Sequence, residues 1–218
     1  MASSSKSVTA LIFDFDGLII DSESPGYVAW SELYESHGCS LPFDKYSACI
    51  GTIHGFDLHA YLEEQSGRSF DPDELESACS RRWHELMKDQ PLLPGIAATV
   101  EAAKSRGLKL AVASSSTRGW VTSNLRKFDL LDRFDVICTR DDVSAVKPDP
   151  ALYLLALEKL AVDAAEAIAF EDSPNGILSA KRAGIFCIVV PNPLTRLLPL
   201  DQADRRLNSL AEFDLADV

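Results

Sequence analysis

Four short stretches of the chain carry side chains that could do chemistry together. Asp14 and Asp16 stand two apart in IFDFDGLIID, and a serine triplet, Ser114-Ser115-Ser116, follows LKLAVA. Lys147 lies in VKPDP, and the pair Glu171-Asp172 opens EDSPNGILSAKRAG. Side chains at i and i+2 leave a strand on the same side, so Asp14 and Asp16 share a face. Two carboxylates that close repel each other unless a proton or a cation lies between them. Glu171 and Asp172 would add more carboxylate oxygen. Hard oxygen ligands with room left for water and a phosphate suit Mg²⁺ better than zinc, which prefers His and Cys. Lys147 can offset charge on Asp14 and on a phosphoryl oxygen. Ser114, with the tight loop through Ser115 and Ser116 behind it, can donate hydrogen bonds to the remaining oxygens.

The chemistry this set supports is phosphoryl transfer. One carboxylate attacks phosphorus to form an aspartyl-phosphate; the other protonates the leaving oxygen and then takes a proton from water. The metal and Lys147 stabilise charge on the transferring group. Each piece alone has a plainer reading. Asp-Gly after a strand is a common turn, Lys147-Pro148 suits an exposed loop, and Glu171-Asp172 suits a helix cap. What favours a site is their arrival together at successive strand ends.

The elements that would deliver them can be read from the pattern. Val8 to Phe15 is a nearly continuous apolar run, as a strand buried on both faces requires, and it stops at Asp16-Gly17. Further strands are expected at Leu108–Ala113, Val136–Cys138, Ala167–Phe170 and Ile185–Val190. Helices are expected at Ile96–Ser105, Gly119–Phe128, Pro150–Leu160 and Pro174–Ala183. Repeated strand–helix alternation predicts an α/β fold, a Rossmann-like parallel sheet with helices on both faces. Ligands in such sheets sit at the carboxyl ends of the strands, where these polar residues fall. Residues 23–91 differ: strand-like runs are scarce and helix formers and charges abound. Asp71-Pro72-Asp73-Glu74 there is helix-start chemistry, with a capping acid, Pro in the first turn and acids at the positive dipole end. This stretch is expected to be a small helical cap inserted after the first strand. The core would comprise 8–22 and 92–218, and the Ser-rich residues 1–7 a loose leader.

Composition narrows the function classes. The 218 residues carry a formal net charge of −12, which opposes nonspecific binding to nucleic acid but allows a local anion site. No apolar run is long enough to span a bilayer, and the first residues lack a signal-peptide apolar stretch. Five cysteines without C-x-x-C spacing suggest reduced thiols that act as small packing residues. The expected address is the cytoplasm, the expected partner a small phosphorylated metabolite, and the expected state a monomer.

The four stretches, in this order, resemble the motifs of the haloacid-dehalogenase-like superfamily, and within it the β-phosphoglucomutase-like phosphatase branch. DFDGLIIDSE resembles the first motif, Ser114 in VASSS the second, Lys147 in VKPDP the third and EDSPNG the fourth. The resemblance implies Asp14 as nucleophile and metal ligand, and Asp16 as general acid/base that also lends its carbonyl to the metal. It implies Asp172 as the second metal carboxylate, with Glu171 reaching the ion directly or through water. Ser114 and Lys147 would hold the phosphoryl group, and the cap would close over the site and select the substrate. The alternative within the branch is a phosphosugar mutase. A mutase would carry a hinge histidine where Gly26 stands, and a phosphate-clamping arginine after Gly51-Thr52-Ile53, where His54 stands. Gly51, His54 and Arg118 remain as candidates for substrate contact, with Arg118 available for a distal anionic group or simply as a solvated helix start.

Overall fold

The computed structural model describes residues 7–50 and 56–217. Six parallel strands form one sheet in the order β3-β2-β1-β4-β5-β6. They are β1 (Ala10–Phe13), β2 (Lys109–Ala113), β3 (Val136–Cys138), β4 (Ala167–Glu171), β5 (Phe186–Val189) and β6 (Arg205–Arg206). β1 lies at the centre, with β2 and β4 on either side, so the direction of winding reverses there. That reversal opens the crevice in which such sheets bind ligands.

All four residues of β1 are buried, and they alternate between two apolar layers. Leu11 and Phe13 pack with Ile96 and Val100 of α5 (Ile96–Ser105) and with Val121 and Leu125 of α6 (Arg118–Lys127). Ala10 and Ile12 face Leu152 and Ala156 of α7 (Ala151–Leu160) and Ile177 and Ala180 of α8 (Pro174–Arg182). The sheet is thus covered on both faces, and this accounts for the continuous rather than alternating apolar character of its strands.

Between β1 and α5 the chain inserts α1 (Glu23–Ser36), α2 (Phe43–Ser47), α3 (Leu58–Ser66) and α4 (Pro72–Met87). These helices bury a separate cluster built on Tyr34, Leu41, Tyr46, Leu62 and Leu75. Helix α4 starts where its composition indicates: the Asp71 side chain accepts from the Asp73 N–H, and Pro72 is the first helical residue. The outgoing and returning connections touch. Ile20 pairs antiparallel with Leu92, and the Leu93 N–H donates to the Ile19 carbonyl at 2.9 Å.

The expected strands and core helices are present with ends that agree to within two residues, and Val136–Cys138 and Ile96–Ser105 agree at both ends. β6 is the addition. It is a pair of arginines that carries no apolar signal and forms by pairing along the edge of β5. All five cysteines are free thiols, and Cys79, Cys138 and Cys187 are buried. Among the described residues no helix is long and apolar enough to cross a membrane.

Candidate active site

Asp14 follows directly on β1, and its N–H donates to the Phe170 carbonyl of the neighbouring β4 at 2.9 Å. This bond continues the sheet ladder by one residue and fixes the carboxylate against the end of β4. There Glu171 and Asp172 are buried as well. One ligand oxygen from each of Asp14, Glu171 and Asp172 falls within 4.8 Å of the others. The loop after β3 brings Lys147 between them. Its Nζ donates to Asp14 Oδ1 at 2.5 Å and to Glu171 Oε1 at 2.6 Å.

The electrostatics follow from this crowding. Burial first, and then the Glu171 carboxylate, raise Asp14 to about 7 despite the pull of Lys147. Burial raises Asp172 well above the usual carboxylate range, with Asp14 and Glu171 adding to it. Burial opposes the Lys147 ammonium, but Asp14 and Glu171 outweigh it and hold its pKa above the usual range. Three carboxylates against one ammonium leave the cluster short of positive charge. An all-oxygen set in that condition fits a hard divalent cation.

Asp16 is held apart from this cluster. Its Oδ1 accepts from Ser22 Oγ and from the Trp120 indole N–H, both at 2.9 Å. Its Oδ2 accepts from Ser116 Oγ at 2.6 Å, with Ser114 Oγ at 3.5 Å. Ser114 is fully buried and accepts from the Ser116 N–H at 3.0 Å, so the serine loop is tightly folded. Ser115 Oγ is buried and has no hydrogen-bond partner among the described residues, and the residue lines the cleft.

Two glycines make the convergence possible. Gly17 has φ +80°, and a Cβ there would fall within 3.0 Å of the Asp172 carboxylate and of Asn192 Nδ2. Asn192 ties that corner together, donating to Asp172 Oδ2 at 2.8 Å and to the Gly17 carbonyl at 3.3 Å. Gly176, in the first turn of α8, lies so close to Glu171 that a Cβ would fall within 3.0 Å of both carboxylate oxygens. The residue that caps α8 is Ser173, whose side chain accepts from the Gly176 N–H. Glu171 and Asp172 are therefore left for the cluster rather than used as the helix cap.

The cluster opens into a cleft of about 540 Å³ between sheet end and insert. The core side is lined by Ser115, Ser116, Trp120 and Arg140, and the insert side by Glu23, Tyr46 and Trp83. Burial, with Asp16, Asp14 and Asp21 nearby, raises Glu23 to about 8.

Of the residues singled out from the sequence, Asp14, Asp16, Ser114, Ser115, Ser116, Lys147, Glu171 and Asp172 come together here. Arg118 does not line the cleft. Its guanidinium donates to Asp142 Oδ2 at 2.6 Å and to the Ile137 carbonyl at 3.0 Å, tying α6 to β3 and to the loop after it. The arginine in the cleft wall is Arg140, from that same loop. Gly51 and His54 lie outside the described residues. At Gly26, in α1, a side chain would run into the Tyr46 hydroxyl, so that corner of the cleft is already filled. Sequence reasoning missed Glu23, Tyr153, Trp83, Trp120, Arg140 and Asn192. Tyr153 Oη donates to Glu171 Oε1 at 2.5 Å, so that oxygen serves both the tyrosine and Lys147. Glu23 alone had a local signal, since it directly follows the first acidic stretch.

A doubly wound parallel sheet whose first strand ends in Asp-x-Asp, joined by a lysine and an acidic pair under a helical insert, defines an α/β enzyme working with strand-end aspartates. The chain belongs to the haloacid dehalogenase-like hydrolase family, whose pattern it matches over residues 11–190. It is 47% identical over 209 residues to YhcW of Bacillus subtilis (strain 168), a protein assigned to the phosphatases, covering 96% of this chain and 95% of that one. The phosphorylated carbohydrates phosphatase of Thermotoga maritima is 35% identical over 180 residues, covering 81% of this chain and 82% of that protein. Among solved structures, CbbY from Rhodobacter sphaeroides in complex with phosphate superposes with TM-score 0.74 at 34% identity, covering 94% of this chain and 96% of that one. An aspartate-to-asparagine variant of CbbY has also been solved with xylulose-(1,5)-bisphosphate.

Proposed function

We propose that this chain is a Mg²⁺-dependent phosphatase of small phosphate monoesters, sugar phosphates foremost, acting through an aspartyl-phosphate on Asp14. The observation that carries the reading is the Lys147 ammonium held between Asp14 and Glu171, with Asp172 beside them at the mouth of one cleft. The relatives support the substrate class, since one is a phosphatase of phosphorylated carbohydrates and another has been solved with a sugar bisphosphate.

In this reading Asp14 attacks phosphorus through the oxygen that Lys147 does not hold. Lys147 and the Ser114–Ser116 loop neutralise and orient the phosphoryl oxygens. Asp16 gives a proton to the leaving oxygen, then accepts one from the water that hydrolyses the acyl phosphate. Asp14 and Asp172, with the Asp16 carbonyl, would hold Mg²⁺, which supplies positive charge to the carboxylates and the phosphoryl group. Glu171 anchors Lys147 and lies near the ion. Residues 23–91 act as the cap over a core of 8–22 and 92–218. The wall formed by Glu23, Tyr46 and Trp83 selects the leaving group. The five free thiols fit a reducing, cytoplasmic setting.

The test is phosphate release from a panel of sugar and polyol phosphates with Mg²⁺, comparing wild type with Asp14→Asn. Release that requires both Asp14 and Mg²⁺ supports the reading. Turnover that survives Asp14→Asn, or that persists in excess chelator, sinks it.

A further inference from the structure

Two indole rings meet at the seam between insert and core. Trp83 comes from α4 and Trp120 from the first turn of α6, and their ring centroids are 4.9 Å apart. Both line the cleft. Each directs its N–H to the segment that leads out of β1. Trp120 Nε1 donates to Asp16 Oδ1 at 2.9 Å, and Trp83 Nε1 donates to the Ser22 carbonyl at 3.1 Å. Ser22 in turn donates its hydroxyl to the same Asp16 oxygen at 2.9 Å. The contacts close a ring: Trp83 to Ser22, Ser22 to Asp16, Asp16 to Trp120, and Trp120 back to Trp83.

We propose that Trp120 is a positioning residue for the Asp16 carboxylate, and that its contact with Trp83 makes that position depend on where the insert sits. The inference rests on the reading of Asp16 as the proton-transferring group. An indole N–H can only donate, so Trp120 can hold an oxygen of Asp16 but cannot compete for its proton. With Ser22 on the same oxygen and Ser116 on the other, the carboxylate is fixed by three side chains from two segments, the one leading out of β1 and the one running from β2 into α6. Two of those holds lead to the insert, since both Ser22 and Trp120 touch Trp83. A displacement of α4 therefore acts on the carboxylate by two routes at once. Proton transfer depends steeply on donor placement, so this coupling ties proton delivery to a seated insert.

The experiment compares first-turnover rates for phenyl phosphate and p-nitrophenyl phosphate, measured with Mg²⁺ by rapid quench. The leaving phenolate of the first needs a proton from Asp16, while the nitrophenolate leaves without one. The readout is the ratio of the two rates, p-nitrophenyl over phenyl. Trp120→Phe keeps an aromatic ring, smaller than the indole, and removes the N–H, and it should raise that ratio about tenfold, the size of one hydrogen bond to a charged group. Trp83→Phe keeps the ring contact but releases Ser22, and it should raise the ratio about threefold. A ratio equal to wild type in Trp120→Phe overturns the proposal, whether the two rates fall together or not at all. Should Trp120→Phe fail to fold, the ratio in Trp83→Phe decides: a rise supports the coupling and a wild-type ratio overturns it. Asp16→Asn separates the two levels. If it raises the ratio while the tryptophan variants do not, only this inference fails; if it too leaves the ratio unmoved, the role assigned to Asp16 fails.

Discussion

Replacing glycine by alanine within a helix ordinarily stabilises it by about 1 kcal/mol. In this protein the sign should differ between two helical glycines, and the reason lies in Glu171. At Gly176 the added Cβ would fall within 3.0 Å of the Glu171 carboxylate carbon and both of its oxygens. Glu171 is fully buried and cannot swing into solvent. It must therefore be displaced against its partners, Lys147 Nζ at 2.6 Å and Tyr153 Oη at 2.5 Å. A hydrogen bond to a charged group contributes about 1.5–3 kcal/mol, so the loss of two gives a net cost of about 2–5 kcal/mol after the helical gain. For a chain of this size that is a fall in Tm of about 10 °C. At Gly119, in α6, the Cβ meets nothing within 4 Å, and Gly119→Ala should raise Tm by about 2 °C. Both variants are read by calorimetry in chelator, and then by titrating Mg²⁺ against Tm. Gly176→Ala should also need more Mg²⁺ for the same stabilisation, because Lys147 and Asp14 shift with Glu171. A Gly176→Ala protein as stable as Gly119→Ala, with the wild-type Mg²⁺ response, would refute the argument that Glu171 is locked.

Three further outcomes follow from the same cluster and its surroundings. Asp14 is raised to about 7, so without metal its proton contributes stability below about pH 4 that is lost as pH rises through 7. Mg²⁺ displaces that proton, and the Tm gain on adding it should grow between pH 5.5 and 8; a gain independent of pH would contradict a buried, proton-retaining Asp14. Lys147→Met leaves Asp14 and Glu171 face to face without their shared ammonium, at a cost of about 3–5 kcal/mol in urea unfolding at pH 8. The loss should shrink at pH 5.5, where Asp14 takes up a proton, and an equal loss at both pH values would show that the ammonium is not balancing these acids. Arg118→Ala should lower stability by about 1 kcal/mol with KM unmoved, whereas Arg140→Ala should raise KM for phosphorylated sugars with Tm unmoved. Steady-state kinetics and melting curves that show the reverse pattern would return Arg118 to the cleft.

The parts of this site that could be read from the sequence are those attached to strand ends. Asp14, Ser114 and Glu171 each terminate an apolar run, and a parallel sheet brings such ends together whatever the intervening chain does. The four-stretch resemblance added the order of roles. What stayed hidden arrives from the sides. Trp120 reaches Asp16 from 104 residues away and Trp83 reaches Ser22 from 61 away. Tyr153 looked like one more apolar residue of α7, and only its depth under the sheet end brings its hydroxyl to Glu171. Arg118 was misleading for a related reason. Its proximity to the serine loop along the chain says nothing of where a long side chain turns, and Asp142 was nearer. The two-residue β6 had no apolar run to announce it, because an edge pairing of two arginines is dictated by β5 alone.

The contact between the two connections, Ile20 against Leu92 with Leu93 bonded to Ile19, has a topological consequence. The helical insert leaves the core and re-enters it at a single point, so its covalent tie to the sheet is one short bridge, and its other contacts with the core, such as Trp83 on Trp120, are noncovalent. Loop-closure entropy grows slowly with the length enclosed, and a larger or smaller insert anchored at the same two residues would alter little in the strands that hold Asp14 and Lys147. The strands that carry Asp14 and Lys147 and the chamber that admits the substrate can therefore diverge on separate schedules, the Trp83–Trp120 seam excepted. The insert is free to be redrawn for a new leaving group, its Trp83 contact kept, while the sheet keeps its carboxylates in register.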